Sequence, residues 1–200
     1  MDNPEYFGNV IENVEPRELI SQGFMVAPSI RFMDAKTSNS EDTKDHVQII
    51  AEVFADQASQ IHKDLNHKML VAMPSTTEFD NIRESINEIR SIAGDLDIYT
   101  VTAGDSYKNN ARQNSRQAML QDLANNNRPS ILIHCDTVSE GIDISGLTGV
   151  FMYRGLSVTK FGQTMGRPAR PIPGEWDLPF ADRKKQNYIL TIPMIDGEIA

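Results

Sequence analysis

Residues Ile131–Arg170 read ILIHCDTVSEGIDISGLTGVFMYRGLSVTKFGQTMGRPAR. An apolar run, Ile131 to Ile133, feeds a polar loop carrying Ser139-Glu140-Gly141-Ile142-Asp143. A second apolar run spans Gly149 to Tyr153, and beyond it stands Gln163-x-x-Gly166-Arg167-x-x-Arg170. Short apolar runs bounded by turn residues read as buried strands. The stretch is therefore strand, glycine–acid loop, strand, then a segment with two arginines three residues apart. Such an order suits a site for a nucleotide's ribose and phosphates.

Working outward, strands alternate with helices. Val47, Ile50, Ala51, Phe54, Ala58, Ile61 and Leu65 recur at three- and four-residue steps, which predicts a helix from Thr43 to near Asn66. Met69 to Met73 is a buried strand, and Pro74-Ser75-Thr76-Thr77 places a hydroxyl to cap the next helix. Phe79, Ile82, Ile86 and Ile89 mark that helix, and Ala93-Gly94 stops it. Asp97 to Thr102 is a strand, Gly104-Asp105 a turn, and Arg112 to Asn125 a helix broken by Arg128-Pro129. Tyr188 to Pro193 is a last strand after a proline-rich loop holding Trp176. Ahead of the polar loop at 34–43, Pro16 to Ile20 forms a helical turn and Phe24 to Met33 a strand interrupted by Pro28. This alternation predicts an α/β fold with a mostly parallel sheet covered on both faces. In such sheets ligands gather beyond the strands' carboxyl ends, here at 74–77, 104–107 and 136–143.

A chain of 200 residues suits one α/β domain, or a domain with an ordered arm. No apolar run nears the roughly 20 residues needed to cross a bilayer, and the acidic N-terminus lacks a signal peptide's order. The single cysteine, Cys135, excludes an internal disulfide and fits a reducing cytoplasm. The histidines at 46, 62, 67 and 134 join no metal-ligand spacing, so no metal site is expected. A net charge of −9 argues against non-specific coating of nucleic acid. It leaves room for a basic face from Arg154, Lys160, Arg167, Arg170, Arg183, Lys184 and Lys185, residues that also suit ordinary solvated surface.

Glycine at 141 lets backbone approach a ligand closely, and the acid at 143 can accept hydrogen bonds from ribose hydroxyls. A plain turn with a surface aspartate would read the same way. Arg167 and Arg170 carry permanent charge and fork onto phosphate oxygens; a surface basic patch is the alternative. Pro168 predicts that the helix ends at Gly166 or Arg167, leaving Arg170 on a loop.

The joint pattern resembles motifs V and VI in the second RecA-like domain of superfamily 2 helicases. Val138-Ser139-Glu140-Gly141-Ile142-Asp143-Ile144 is similar to motif V, and Gln163-Thr164-Met165-Gly166-Arg167-Pro168-Ala169-Arg170 to motif VI. MLVAMPSTTEF resembles motif IV, TVTAGDSYKNNAR the segment in which a glycine turn precedes an arginine-bearing helix, and YFGNVIENVEPRELISQGFMVAPSIRF the connector after the first helicase domain. The resemblance covers nearly the whole chain.

It implies a RecA-like three-layer α/β fold, with residues 1–34 as interdomain connector and 35–200 as the C-terminal domain. Arg167 and Arg170 would be arginine fingers for an ATP held between this domain and a first RecA-like domain. Gln163 and Gly166 would hold motif VI against the nucleotide, and Gly141 and Asp143 would contact its sugar side. Ser75, Thr76, Thr102, Gly104 and Thr137 would touch the backbone of DNA or RNA, with DNA preferred. Cys135 stands where the family often has a phosphate-binding threonine, for which Thr137 is the substitute. The chain has neither a G-x-x-x-x-G-K-[ST] loop nor an acidic magnesium motif, so Mg2+ would come through the other domain.

The resulting expectation is the C-terminal half of an ATP-dependent helicase or translocase, inactive alone. A non-catalytic helicase-like module that binds protein or nucleic acid is the alternative. A self-contained nucleotide-binding enzyme is disfavoured, because no glycine-rich loop opens any helix.

Overall fold

The computed structural model describes residues 15–34, 46–73, 75–135, 144–153, 158–195 and 198–199. Its described elements run α1 (Pro16–Ser21), β1 (Ala27–Asp34), α2 (His46–Ala58), β2 (Lys68–Ala72), α3 (Phe79–Glu84) and α4 (Ile86–Ala93). They continue with β3 (Asp97–Val101), β4 (Ser106–Lys108), β5 (Ala111–Arg112), α5 (Arg116–Asn125), β6 (Ser130–His134), β7 (Gly149–Met152), α6 (Val158–Gly166), β8 (Asn187–Ile195) and β9 (Glu198–Ile199). A 3-10 turn at Phe180–Asp182 precedes β8.

The strands form one sheet ordered β1-β8-β7-β2-β6-β3-β4-β5, with β9 paired to β8. From β1 through β3 every pairing is parallel; β4, β5 and β9 are antiparallel additions. Period-two alternation divides the core. Met69, Val71, Ile98, Ile131, Ile133 and Phe151 face α2, α3 and α4, where Ile50, Phe54, Phe79, Ile82 and Ile89 complete one apolar layer. Leu70, Ala72, Tyr99, Leu132, Val150, Met152 and Leu190 face the other way, onto Met119, Leu120 and Leu123 of α5 and Met165 of α6. Helices thus cover both faces of a mostly parallel sheet, as the alternation predicts.

Four local readings need correction. The α2 helix stops at Ala58, not near Asn66. Ser59 Oγ and Gln60 Nε2 both donate to the carbonyl of Asp56, competing with the helical ladder at its last turn. The hydroxyls at 75–77 do not cap the following helix: Glu78 holds the cap position without a side-chain bond, while Ser75 Oγ donates to Thr77 Oγ1. That helix is also two pieces joined at Ser85, although all four marker residues are buried and Gly94, at φ 84°, ends the second piece. Finally, residues 106–112 are a hairpin and not the approach to a helix. Asn109 and Asn110, at φ 48° and 65°, supply its two-residue turn, and Ser115 Oγ, accepting from Ala118 N–H, opens α5 four residues later than expected.

The N-terminal segment packs as the sheet's edge. β1 runs parallel to β8 over its whole length, and Pro28 sits on that edge strand, where a missing N–H is tolerated.

Candidate functional site

Two groups of expected site residues are described, and they occupy different parts of the sheet. The register aligns Ala72 with His134 and Met152, and His134 with Val101, so β2, β3, β6 and β7 end together at one edge. Ser75 and Thr76 follow β2 there, both exposed, and Thr102 and Gly104 follow β3. The Thr102 hydroxyl is engaged within its own turn, accepting from Asp105 N–H at 3.0 Å, and Arg116 Nη2 donates to the carbonyls of Thr102 and Ala103. Gly104 is exposed with open space around its α-carbon. Thr137, Gly141 and Asp143 lie outside the described residues.

The paired arginines lie elsewhere. Gln163 and Gly166 belong to α6, which ends at Gly166; Arg167 begins the turn and Arg170 is exposed at its far side. Between them Pro168 and Ala169 are buried. The turn has one internal main-chain bond, Arg170 N–H to Arg167 O at 3.4 Å. Its other restraints come from outside. Val26, immediately ahead of β1, donates its N–H to Ala169 O at 2.7 Å. Lys185, two residues ahead of β8, donates from Nζ to Pro168 O at 2.5 Å and Arg170 O at 2.6 Å. The turn therefore sits beside the amino ends of β1 and β8.

The segment before β8 is itself built around buried charge. Glu175 accepts from Lys184 N–H at 2.7 Å and from Lys185 N–H at 3.4 Å. Arg183 donates to the carbonyls of Gly23, Trp176 and Leu178. Burial pushes the Lys185 ammonium down to about 7, with the Glu175 carboxylate pulling the other way. The basic run 183–185 is thus mostly internal, since only Lys184 is exposed. Charge patterning alone gave no signal for this, because the carbonyls that recruit Lys185 belong to a separate segment.

An apolar groove of about 380 Å³ runs alongside, lined by Ile20, Pro28, Ile30, Phe161, Met165 and Tyr188 among others. Among the described residues no group of three His, Cys, Asp or Glu side chains is placed to hold a metal ion, and no helix is long and apolar enough to cross a membrane.

Residues 45–171 match the model of the helicase conserved C-terminal domain. The chain belongs to that family. No curated protein sequence matches it. Its fold is shared with the DNA-bound ATP-dependent Type ISP restriction-modification enzyme LlaBIII, at TM-score 0.63 and 14% identity over 98% of this chain and 14% of that one. It is shared too with a fragment of a putative HsdR subunit of a type I restriction enzyme from Vibrio vulnificus YJ016, at TM-score 0.59 and 20% identity over 98% of this chain and 42% of that one. The E. coli DExH-box NTPase HrpB aligns at TM-score 0.53 and 11% identity over 91% of this chain and 22% of that one. This chain thus spans less than half the length of each of these three, and its mostly parallel sheet with helices on both faces is the RecA-like architecture.

Proposed function

We propose that this domain is the arginine-finger half of an ATP-dependent superfamily 2 translocase acting on nucleic acid in the cytoplasm. Residues 1–34 are the connector from a first RecA-like domain, on the same or a separate chain. The observation that carries the reading is the turn at 167–170, which offers two arginines from a main chain held on three successive carbonyls. Guanidinium groups fit a polyphosphate: they stay charged at every physiological pH and fork onto its oxygens. ATP, with Mg2+ and a phosphate-loop lysine contributed by the other domain, supplies the bond to be broken.

Arg167 and Arg170 enter the cleft from this side and neutralise charge that develops on the γ-phosphoryl oxygens. That is electrostatic stabilisation from a prearranged scaffold, which needs no movement at the moment of reaction. Gln163 and Gly166 hold motif VI against the nucleotide, and Gly141 and Asp143 meet its sugar. Ser75, Thr76, Thr102 and Gly104 at the other edge, together with Thr137, offer hydroxyls and amides to a phosphate backbone. Two groups beside opposite strand ends suit two ligands, a nucleotide in the cleft and a strand along the carboxyl edge. Closure of the cleft would then couple hydrolysis to movement. DNA is the preferred track, by analogy with the restriction enzyme whose structure holds DNA.

In the complete two-domain enzyme, Arg167→Ala is expected to lower kcat by roughly 10³-fold or more while leaving the Kd for ATP within about threefold. Turnover near the parent value would show that Arg167 is no finger.

A further inference from the structure

Lys185 is a costly residue to place where it lies. Its side chain is fully buried, and taking an ammonium out of water costs several kcal/mol unless hydrogen bonds replace the lost hydration. An apolar side chain of the same length would fill the space more cheaply. What the ammonium supplies instead is a compact donor with three protons, two of which reach carbonyls that neighbouring secondary structure does not satisfy. The turn has little of its own to hold it: Pro168 has no N–H, and the internal bond at Arg170 is long. Charge-assisted bonds from Lys185 are therefore strong restraints on the main chain of the arginine turn. The segment carrying Lys185 is anchored in turn by the buried Glu175 carboxylate, which accepts from Lys184 N–H at 2.7 Å.

We propose that Lys185 is a positioning residue for the arginine turn, its ammonium fixing the carbonyls of Pro168 and Arg170 and so setting the base from which both guanidinium groups reach the nucleotide. The proposal rests on the reading of Arg167 and Arg170 as fingers. A long side chain magnifies any shift at its base, and a misplacement of about 1 Å can cost on the order of a hundredfold in rate.

The test has two arms. On this 200-residue chain, hydrogen exchange of Lys185→Met should quicken about tenfold across 167–170 while β2 and β6 keep their protection. In the two-domain enzyme, the same variant should lose about tenfold or more in kcat with the KM for ATP within about twofold, and Lys185→Arg, which keeps a cationic donor, should recover part of the loss. Lys68→Met serves as control, since it removes a buried lysine that bonds the end of α5 and not the arginine turn, and it should lower Tm alone. Unchanged exchange at 167–170 would overturn the proposal. So would parental kcat for Lys185→Met in an enzyme that Arg167→Ala disables. If Lys185→Met does not fold, Lys185→Gln, a shorter neutral side chain without charge-assisted bonds, takes its place, and parental kcat there overturns the proposal. If Arg167→Ala itself keeps turnover, the finger reading fails, and the exchange arm still judges the clamp.

Discussion

Two buried lysines do the same chemistry in this domain with different consequences. Lys68, the first residue of β2, donates from Nζ to the carbonyls of Leu123 and Ala124 at 2.8 and 2.9 Å. Those carbonyls belong to the last turn of α5, where the helical ladder leaves acceptors unpaired and a cation is favoured. Lys185, just ahead of β8, serves the turn that ends α6. In both cases a lysine entering a strand ties down the end of a helix on the same face of the sheet. Burial lowers both ammonium groups, against the opposing pull of Asp122 in one case and Glu175 in the other. The cargo differs. Beyond α5 the chain passes into the buried strand β6, whereas beyond α6 it displays Arg167 and Arg170. On the proposed reading of the arginines, a shared hydrogen-bond device is structural in one place and positions the chemistry in the other, according to what the tethered segment carries.

The comparison breaks if the Lys68 region proves to matter for turnover, or sharpens if its changes register in stability alone. The largest such effect is expected at Gly149, which opens β7 beside this lysine's neighbours. A Cβ there would overlap Gln57 Oε1 and come within 2.7 Å of His67 Cε1. Gln57 cannot swing away freely, because its Nε2 donates to Val150 O and Thr191 Oγ1 inside the core. Gly149→Ala should cost about 3 kcal/mol in denaturant unfolding, the upper range for overpacking. A cost near zero would mean the Gln57 network is loose.

Next comes Lys68→Met, which strands two helix-end carbonyls and should cost about 2 kcal/mol by the same measurement. The kcat of the two-domain enzyme should be untouched. A kcat loss like that expected for Lys185→Met would erase the distinction between the two lysines.

The third effect is a pH dependence. His67 is buried, with Nδ1 2.9 Å from Thr148 Oγ1, and burial pushes it down from 6.5 to about 3. It stays neutral in the folded chain while the unfolded chain takes up a proton below about 6.5. Its contribution is therefore complete above pH 6.5 and is lost as pH falls toward 3, by up to about 1.4 kcal/mol per pH unit. His67→Gln should flatten that part of the stability profile between pH 5 and 7; a profile parallel to the parent's would contradict the burial argument.

Much of the sheet was legible in sequence, because each central strand is an apolar run whose alternate residues face two helical layers. Met69 and Leu70 point to opposite faces as period-two geometry requires. The end of α6 was legible from Pro168, and the end of α4 from Gly94. The hairpin at 106–112 was missed although Asn109-Asn110 announces it, since both residues tolerate positive φ and so favour a two-residue turn. The end of α2 was missed because apolar spacing continues through Ile61 and Leu65 after side chains of Ser59 and Gln60 have taken a carbonyl of its last turn. The arginines could be picked out by type and spacing. Their support could not, for Lys185 stands 17 residues from one of the carbonyls it holds and reads in sequence as surface charge.

The central claim is that this domain provides only the second wall of an ATP site. It is tested most directly by measuring Mg2+-dependent ATP turnover, with DNA present, for this chain alone and after mixing with a polypeptide carrying the first RecA-like domain. The account predicts no turnover from the chain alone and turnover from the mixture that Arg167→Ala removes. Robust turnover by the chain unaided, or turnover of the mixture that survives Arg167→Ala, would contradict it.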